Sequence, residues 1–336
     1  MGIKNFSKVF NHNGEVKYKD MRNKVVAVDA MYQLHRTAHP FKTVKNAILT
    51  APDGTSTNHI NGLLALIFNL KKVDAKQVWV FDNPGEEHNS LKIIEIERRR
   101  SCKEIAQKKL QLLDEHELFS DDDNNNLDNN NHLINKNKYQ RASFSLEIYM
   151  INDLKFMLDC FDIPWIEAPI GYEAEQLAAY LTFNKLHGIK ADIVLTPDPD
   201  CLLFGAKIMI KHDKQKLYKY ELSSLLDEFK INQDDLIKIG IILGCDFAEK
   251  TAGIGIKSVI KKFKITELSH KQHEAFLYFK KPICPNALKL IKWNISEDKP
   301  FNNQQKINEL FNWITDIKGF NESRTRTRFN TAKIIF

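Results

Sequence analysis

Nothing in this sequence approaches the roughly 18 consecutive apolar residues of a membrane span, so no segment reads as a transmembrane helix. The five cysteines, at 102, 160, 201, 245 and 284, form no CxxC and no paired spacing. That argues against a thiolate zinc site and for reduced thiols in an intracellular compartment. Neither a histidine cluster nor an HExxH pattern offers another zinc site. The start, MGIKNFSKVF, lacks the apolar core of a secretory signal. No block of sequence repeats.

What is present is ordinary in bulk and uneven in detail. With 336 residues, 43% hydrophobic and 27% charged, the chain is long enough for one large domain or two ordinary ones. Lysine and arginine exceed aspartate and glutamate by 49 to 43, a balance compatible with a polyanionic partner. Three Val-rich runs, KVVAVDA (24–30), QVWVFDN (77–83) and ADIVLTPD (191–198), read as buried parallel strands, each ending at an aspartate. Helix-period segments at 58–73 and 143–161 lie between them. The alternation predicts an α/β fold with a mostly parallel central sheet flanked by helices, whose ligand sits outside the carboxyl ends of the strands. From residue 236 the pattern reads as helical to the end.

The expected organisation is a region 1–118 ending in the basic helix 91–113, an Asn/Asp-rich mobile loop 119–142, a region 143–262, and a helical extension 263–336, forming one catalytic domain overall.

Seven acids lie at the ends of apolar elements: Asp29, Asp82, Glu173, Glu175, Asp198, Asp200 and Asp246. Any one of them reads equally as a cap or a solvated loop end. Glu173 and Glu175 converge only in an irregular first helical turn, which Pro169 and Gly171 introduce. Asp198 and Asp200 share a face if the segment between them is extended. Gathered without a cation, such groups repel and their pKa values rise. Hard divalent ions with oxygen ligands relieve this, and a pair of ions serves in-line phosphoryl displacement.

Lys92 and Arg99, two helical turns apart, share one face of the basic helix. They read as a solvated face or as a phosphate clamp over the acids. GIGIKS (253–258), followed by IKKFK, reads as a simple turn or as a backbone nest for phosphates, with Gly253, Gly255, Lys257 and Ser258 as its members.

Together, MGIKNF, VAVDA, VFDNP, EAPIGYEAE, TPDPDCLLFG and LGCDFAEKTAGIGIKS, in that order, resemble the XPG/flap endonuclease superfamily of 5′ nucleases over residues 1 to about 262. The resemblance implies a PIN-like nuclease core with a helical arch and a helix–two-turn–helix DNA-binding region. It places the seven carboxylates around two Mg²⁺ ions, for which Mn²⁺ substitutes, and makes Lys92 and Arg99 the catalytic basic pair of the arch. It also implies a K⁺ at the helix–two-turn–helix element formed by Gly253, Gly255, Lys257 and Ser258, and puts Gly2 near the DNA. Tyr32 and His35 look more like the 5′→3′ exonuclease branch. Tyr32 reads as a stacking platform or a core tyrosine, and His35 as DNA-facing or merely surface.

The expectation is therefore a Mg²⁺-dependent enzyme cutting DNA at flaps, nicks or 5′ ends in replication, repair or recombination. The alternatives are a 5′→3′ exonuclease, a nuclease acting on RNA, or an inactive DNA-binding scaffold. The expected partner is branched or nicked duplex DNA, with no membrane and no clear sliding-clamp peptide in the tail ESRTRTRFNTAKIIF. A monomer is expected, nuclear or, if viral, at a host nuclear or cytoplasmic replication site. The compact length suits a viral or minimal member.

Overall fold

The computed structural model describes residue 3 and residues 5–39, 49–83, 90–119, 135–136, 138–213, 216–295 and 299–334. Its centre is an eight-stranded sheet: β1 (Glu15–Val16), β2 (Val25–Asp29), β3 (Lys76–Phe81), β4 (Trp165–Glu167), β5 (Ile193–Leu195), β6 (Ile208–Asp213), β7 (Lys216–Glu221) and β8 (Trp293–Asn294). The spatial order is β1-β7-β6-β5-β2-β3-β4-β8. The five central strands from β6 to β4 run parallel, and antiparallel pairs form the edges. The expected α/β fold is present. From β2 the chain proceeds to β3 and β4 on one side, then crosses to β5 and β6 on the other. The switch point between β2 and β5 opens the crevice where open sheets bind ligands.

Alternation along the strands sorts two cores. Ala27, Val78, Val80 and Val194 face one layer with helices Ala174–Phe183 and Gln233–Leu243. Val28, Trp79, Phe81 and Leu195 face the other, with helices Asn58–Lys72 and Ile148–Cys160. Helix Asn58–Lys72 buries Ile60, Leu63, Leu64, Ile67 and Phe68, the stripe its 3.6-residue period dictates. It crosses helix Ala30–Ala38 so closely that a Cβ on Gly62 would sit 2.5 Å from Thr37 Cγ2, which only glycine permits.

Three expectations need correction. The C-terminal part is not wholly helical: Trp293 and Asn294 form β8, paired with Ile166 and Trp165. A two-residue strand with exposed side chains leaves no periodic signature. Helix Ile148–Cys160 starts five residues later than the 143–161 segment suggested, because residues 144–147 are irregular. The segment joining Asp198 to Asp200 is not extended, since Pro199 is in the αR region and Asp200 opens the short helix Asp200–Leu203. Of the Asn/Asp-rich stretch 119–142, residues 120–134 and 137 lie outside the described residues, and 138–142 are helical. The described residues of 263–334 contribute to the cores: Phe329 packs edge-on against Phe68 at 5.2 Å, and Ile307, Leu310 and Ile314 are buried in the same layer.

Candidate active site

The acids reach one edge of the sheet because the strands bring them there. Asp29 ends β2 and caps helix Ala30–Ala38, its Oδ1 accepting the Tyr32 amide hydrogen at 2.9 Å. Its Oδ2 accepts from the Thr196 hydroxyl at 2.8 Å, and that same hydroxyl oxygen accepts the Asp198 amide at 3.1 Å. Thr196 thus ties the end of β2 to the turn after β5. Asp198 Oδ1 accepts the Asp200 amide at 3.0 Å, so the two carboxylates stay adjacent although the backbone between them bends. Asp82 follows β3 and accepts the Ala174 amide at 2.8 Å, capping the helix that carries Glu175. Glu173 is the extended residue just before that helix and Glu175 lies in its first turn, the irregular geometry their spacing requires.

Burial and mutual repulsion dominate the electrostatics. Asp29, Asp198 and Asp200 are 5%, 6% and 5% exposed. Desolvation, reinforced by Asp82 and Asp198, pushes Asp29 up to about 7. Desolvation raises Glu175 well above the carboxylate range, helped by the charges of Asp29, Asp82, Asp198 and Glu173. Asp200 is raised likewise by burial and by Asp198 and Asp246. Asp198 and Glu173 also move upward, chiefly through burial. One buried oxygen, Asp200 Oδ1, has no hydrogen-bond partner.

The arch supplies the opposite charge. Lys92 pairs with Glu173, and its ammonium stands 5.2 Å from the centre of the Phe247 ring. Burial alone would lower this lysine, but Glu173, Glu175 and Asp82 hold it above its usual range and charged. Arg99, on helix Ile93–Phe119, reaches Asp246 Oδ2 at 2.5 Å and Glu95 Oε1 at 2.9 Å. Both cations therefore sit on acids of the cluster. Among the described residues no three His, Cys, Asp or Glu side chains stand close enough to hold one ion as they are. The donor set nevertheless fits hard divalent cations: carboxylate oxygens, raised pKa values, and an unpartnered buried oxygen on Asp200.

The other expected residues divide. Gly255 precedes helix Ile256–Lys262, its amide donating to Ser258 Oγ at 3.1 Å, and Lys257 is exposed there. Gly253 adopts φ +73°, and a Cβ on either glycine would meet open space, so the backbone is presented bare to solvent. Tyr32 is half-buried and lines a cavity of about 630 Å³ with Tyr18, Arg36, Asn61 and Asp213. His35 is no free surface group; it packs edge-on against His39 at 4.6 Å and Phe144 at 5.5 Å, and burial lowers its pKa. Gly2 lies outside the described residues. Sequence reasoning missed Thr196, which gave no signal, and Glu95, whose spacing three and four residues before Arg98 and Arg99 was one.

Residues 1–106 match the XPG N-terminal domain and residues 162–246 the XPG I-region. Flap endonuclease 1 of Methanobrevibacter smithii is 31% identical over 262 residues, spanning 76% of this chain and 73% of that protein. The chain belongs to the XPG/flap endonuclease family. A more distant member, flap endonuclease 1 of Aedes aegypti, is 25% identical over 358 residues, covering 97% of this chain and 85% of its own. Flap endonuclease-1 from Methanococcus jannaschii shares the family fold with a TM-score of 0.69 at 22% identity, covering 97% of this chain and 96% of that one. These archaeal and animal relatives lend the viral expectation no support.

Proposed function

We propose that this protein is a divalent-metal-dependent, structure-specific 5′ nuclease that cuts DNA phosphodiester bonds at flaps, nicks or 5′ ends, with Mg²⁺ as its ion. One observation carries the reading: acids from the ends of β2, β3, β4 and β5 converge at the switch point, with the arch cations Lys92 and Arg99 seated on them. Likeness to flap endonuclease 1 at 31% identity supports the choice of reaction.

Asp29, Asp82, Glu173, Glu175, Asp198, Asp200 and Asp246 would hold the ions. When bound, Mg²⁺ supplies the positive charge that acidifies a water and stabilises the attacking and leaving oxygens. The chain's own groups do the rest. Thr196 orients Asp29 and the Asp198 turn. Lys92 and Arg99, the cations seated on Glu173 and Asp246, would grip the scissile phosphate and offset its growing charge. The open backbone surface at Gly253 and Gly255, with Lys257 exposed beside it, suits close approach of duplex phosphates without base readout.

The test is cleavage of a 5′-labelled double-flap DNA with Mg²⁺, beside a recessed duplex and an Asp200→Ala control. Release of the intact flap in one cut, absent in the control, is the expected result. Mononucleotides from both substrates would move the protein to the exonuclease branch. Binding without any product would instead support a scaffold.

A further inference from the structure

We infer that Glu95 is a positioning residue for cleavage, fixing the plane of the Arg99 guanidinium so that its outer nitrogens face the reacting phosphate. This rests on the nuclease reading above.

Glu95 Oε1 accepts from Arg99 Nε at 2.9 Å, while Arg99 Nη2 projects onward to Asp246 Oδ2 at 2.5 Å. The inner edge of the fork is thereby occupied and the outer edge is aimed at the acid cluster. A single acceptor at Nε constrains a long, rotamer-rich side chain that would otherwise sample many directions. The contact is poor as a stability device, since exposed ion pairs contribute little, yet the acid is well sheltered: the Glu95 side chain is 16% exposed against 41% for Arg99. Glu95 borders a small crevice between the arch helix and the turn that holds Asp246 and Phe247, so helix and turn meet at this carboxylate.

Arg98 completes the device. Its Nε and Nη2 donate to Glu95 Oε2 at 2.7 Å and Oε1 at 2.6 Å, a bidentate grip that holds the carboxylate itself. Hydrogen bonds from Arg98, then Arg99, hold the Glu95 pKa down to about 2, so the anchor stays charged at any working pH. Were Asp246 to hold an ion, Arg99 would lose one partner but keep Glu95. The arginine would then stay over the site and not swing into solvent.

Single-turnover cleavage of a double-flap DNA in Mg²⁺, with DNA affinity measured in Ca²⁺, tests this. Glu95→Ala should slow the cleavage step roughly 10- to 100-fold, the scale of a small misplacement near the reacting atoms. DNA affinity should be unchanged or slightly tighter, because a negative charge is removed. Glu95→Gln keeps an acceptor oxygen and should recover most of the rate. In an Arg99→Ala background, Glu95→Ala should add no further loss. A wild-type rate for Glu95→Ala, or a loss that multiplies with that of Arg99→Ala, would overturn the inference.

A second readout does not depend on cleavage. The Arg99 Nε–H resonance should be protected from exchange in the wild-type protein and lose that protection in Glu95→Ala; an unchanged resonance would overturn the inference even in an active enzyme. If the wild-type protein cuts no 5′-ended DNA, the nuclease reading fails, and this resonance still decides whether Glu95 holds Arg99.

Discussion

The two faces of the sheet treat buried acids in opposite ways. On the face covered by helix Ile148–Cys160, the acids have cations at hand. Asp153 meets both His59 Nε2 and Lys318 Nζ at 2.9 Å, Glu167 pairs with Lys155, and Asp162 accepts from Lys306 at 2.5 Å. At the carboxyl edge on the other face, Lys92 pairs with Glu173, but Asp29, Glu175, Asp198 and Asp200 crowd one another, and burial and repulsion raise their pKa values. Paired acids staple one element to another. Crowded ones hold unfavourable charge that a cation can relieve, which is the physical mark of a site.

The largest effect that separates the faces is on catalysis. Asp29→Asn or Asp200→Ala should reduce cleavage by at least about a thousand-fold, roughly 4 kcal/mol of transition-state stabilisation, while the metal-free melting temperature stays level or rises. Near-normal quench-flow rates would refute their role as ligands. On the opposite face Asp153→Ala should do the reverse. It strands Lys318 and His59 and should cost about 3 kcal/mol in urea denaturation, with the folded protein still active.

Ionisation gives a subtler contrast. An ordinary aspartate titrates near 3.8, whereas Asp29 titrates at about 7 and Asp200 is also raised. In that window the folded chain binds more protons than the unfolded chain, so the stability they contribute is lost as pH rises through the folded value. Chelator-treated protein should melt at a higher temperature at pH 5.5 than at pH 8, and Mg²⁺ should raise the melting temperature more at pH 8. A melting temperature that climbs with pH in chelator would contradict this. The smallest effect belongs to the duplex grip. Lys257→Ala should weaken all duplexes alike and reduce the salt slope by about one; a loss confined to certain sequences would count against a phosphate contact.

How much of this the sequence disclosed follows from which interactions are local. Asp29, Asp82 and Asp198 were legible because each closes an apolar run, and the pattern of runs implied parallel strands. Asp200 was legible as an acid but misplaced, because alternation was assumed through Pro199, whose αR backbone starts a helix. The shared Thr196 hydroxyl was not legible, since Asp29 and Thr196 are 167 residues apart and only the register of β2 on β5 joins them. The staples on the opposite face were hidden for the same reason: Lys318 and Asp153 lie 165 residues apart. Glu95 was local and was passed over because a run of arginines reads as one basic block. Strand β8 had too few residues to show a period.

The most direct test of the central claim is an anomalous-difference map from crystals of the protein soaked in Mn²⁺. The account predicts density among the oxygens of Asp29, Asp82, Glu173, Glu175, Asp198, Asp200 and Asp246, with Lys92 and Arg99 withdrawn from Glu173 and Asp246. A map with no peak at that edge of the sheet, and both cations still seated on their acids, would contradict it.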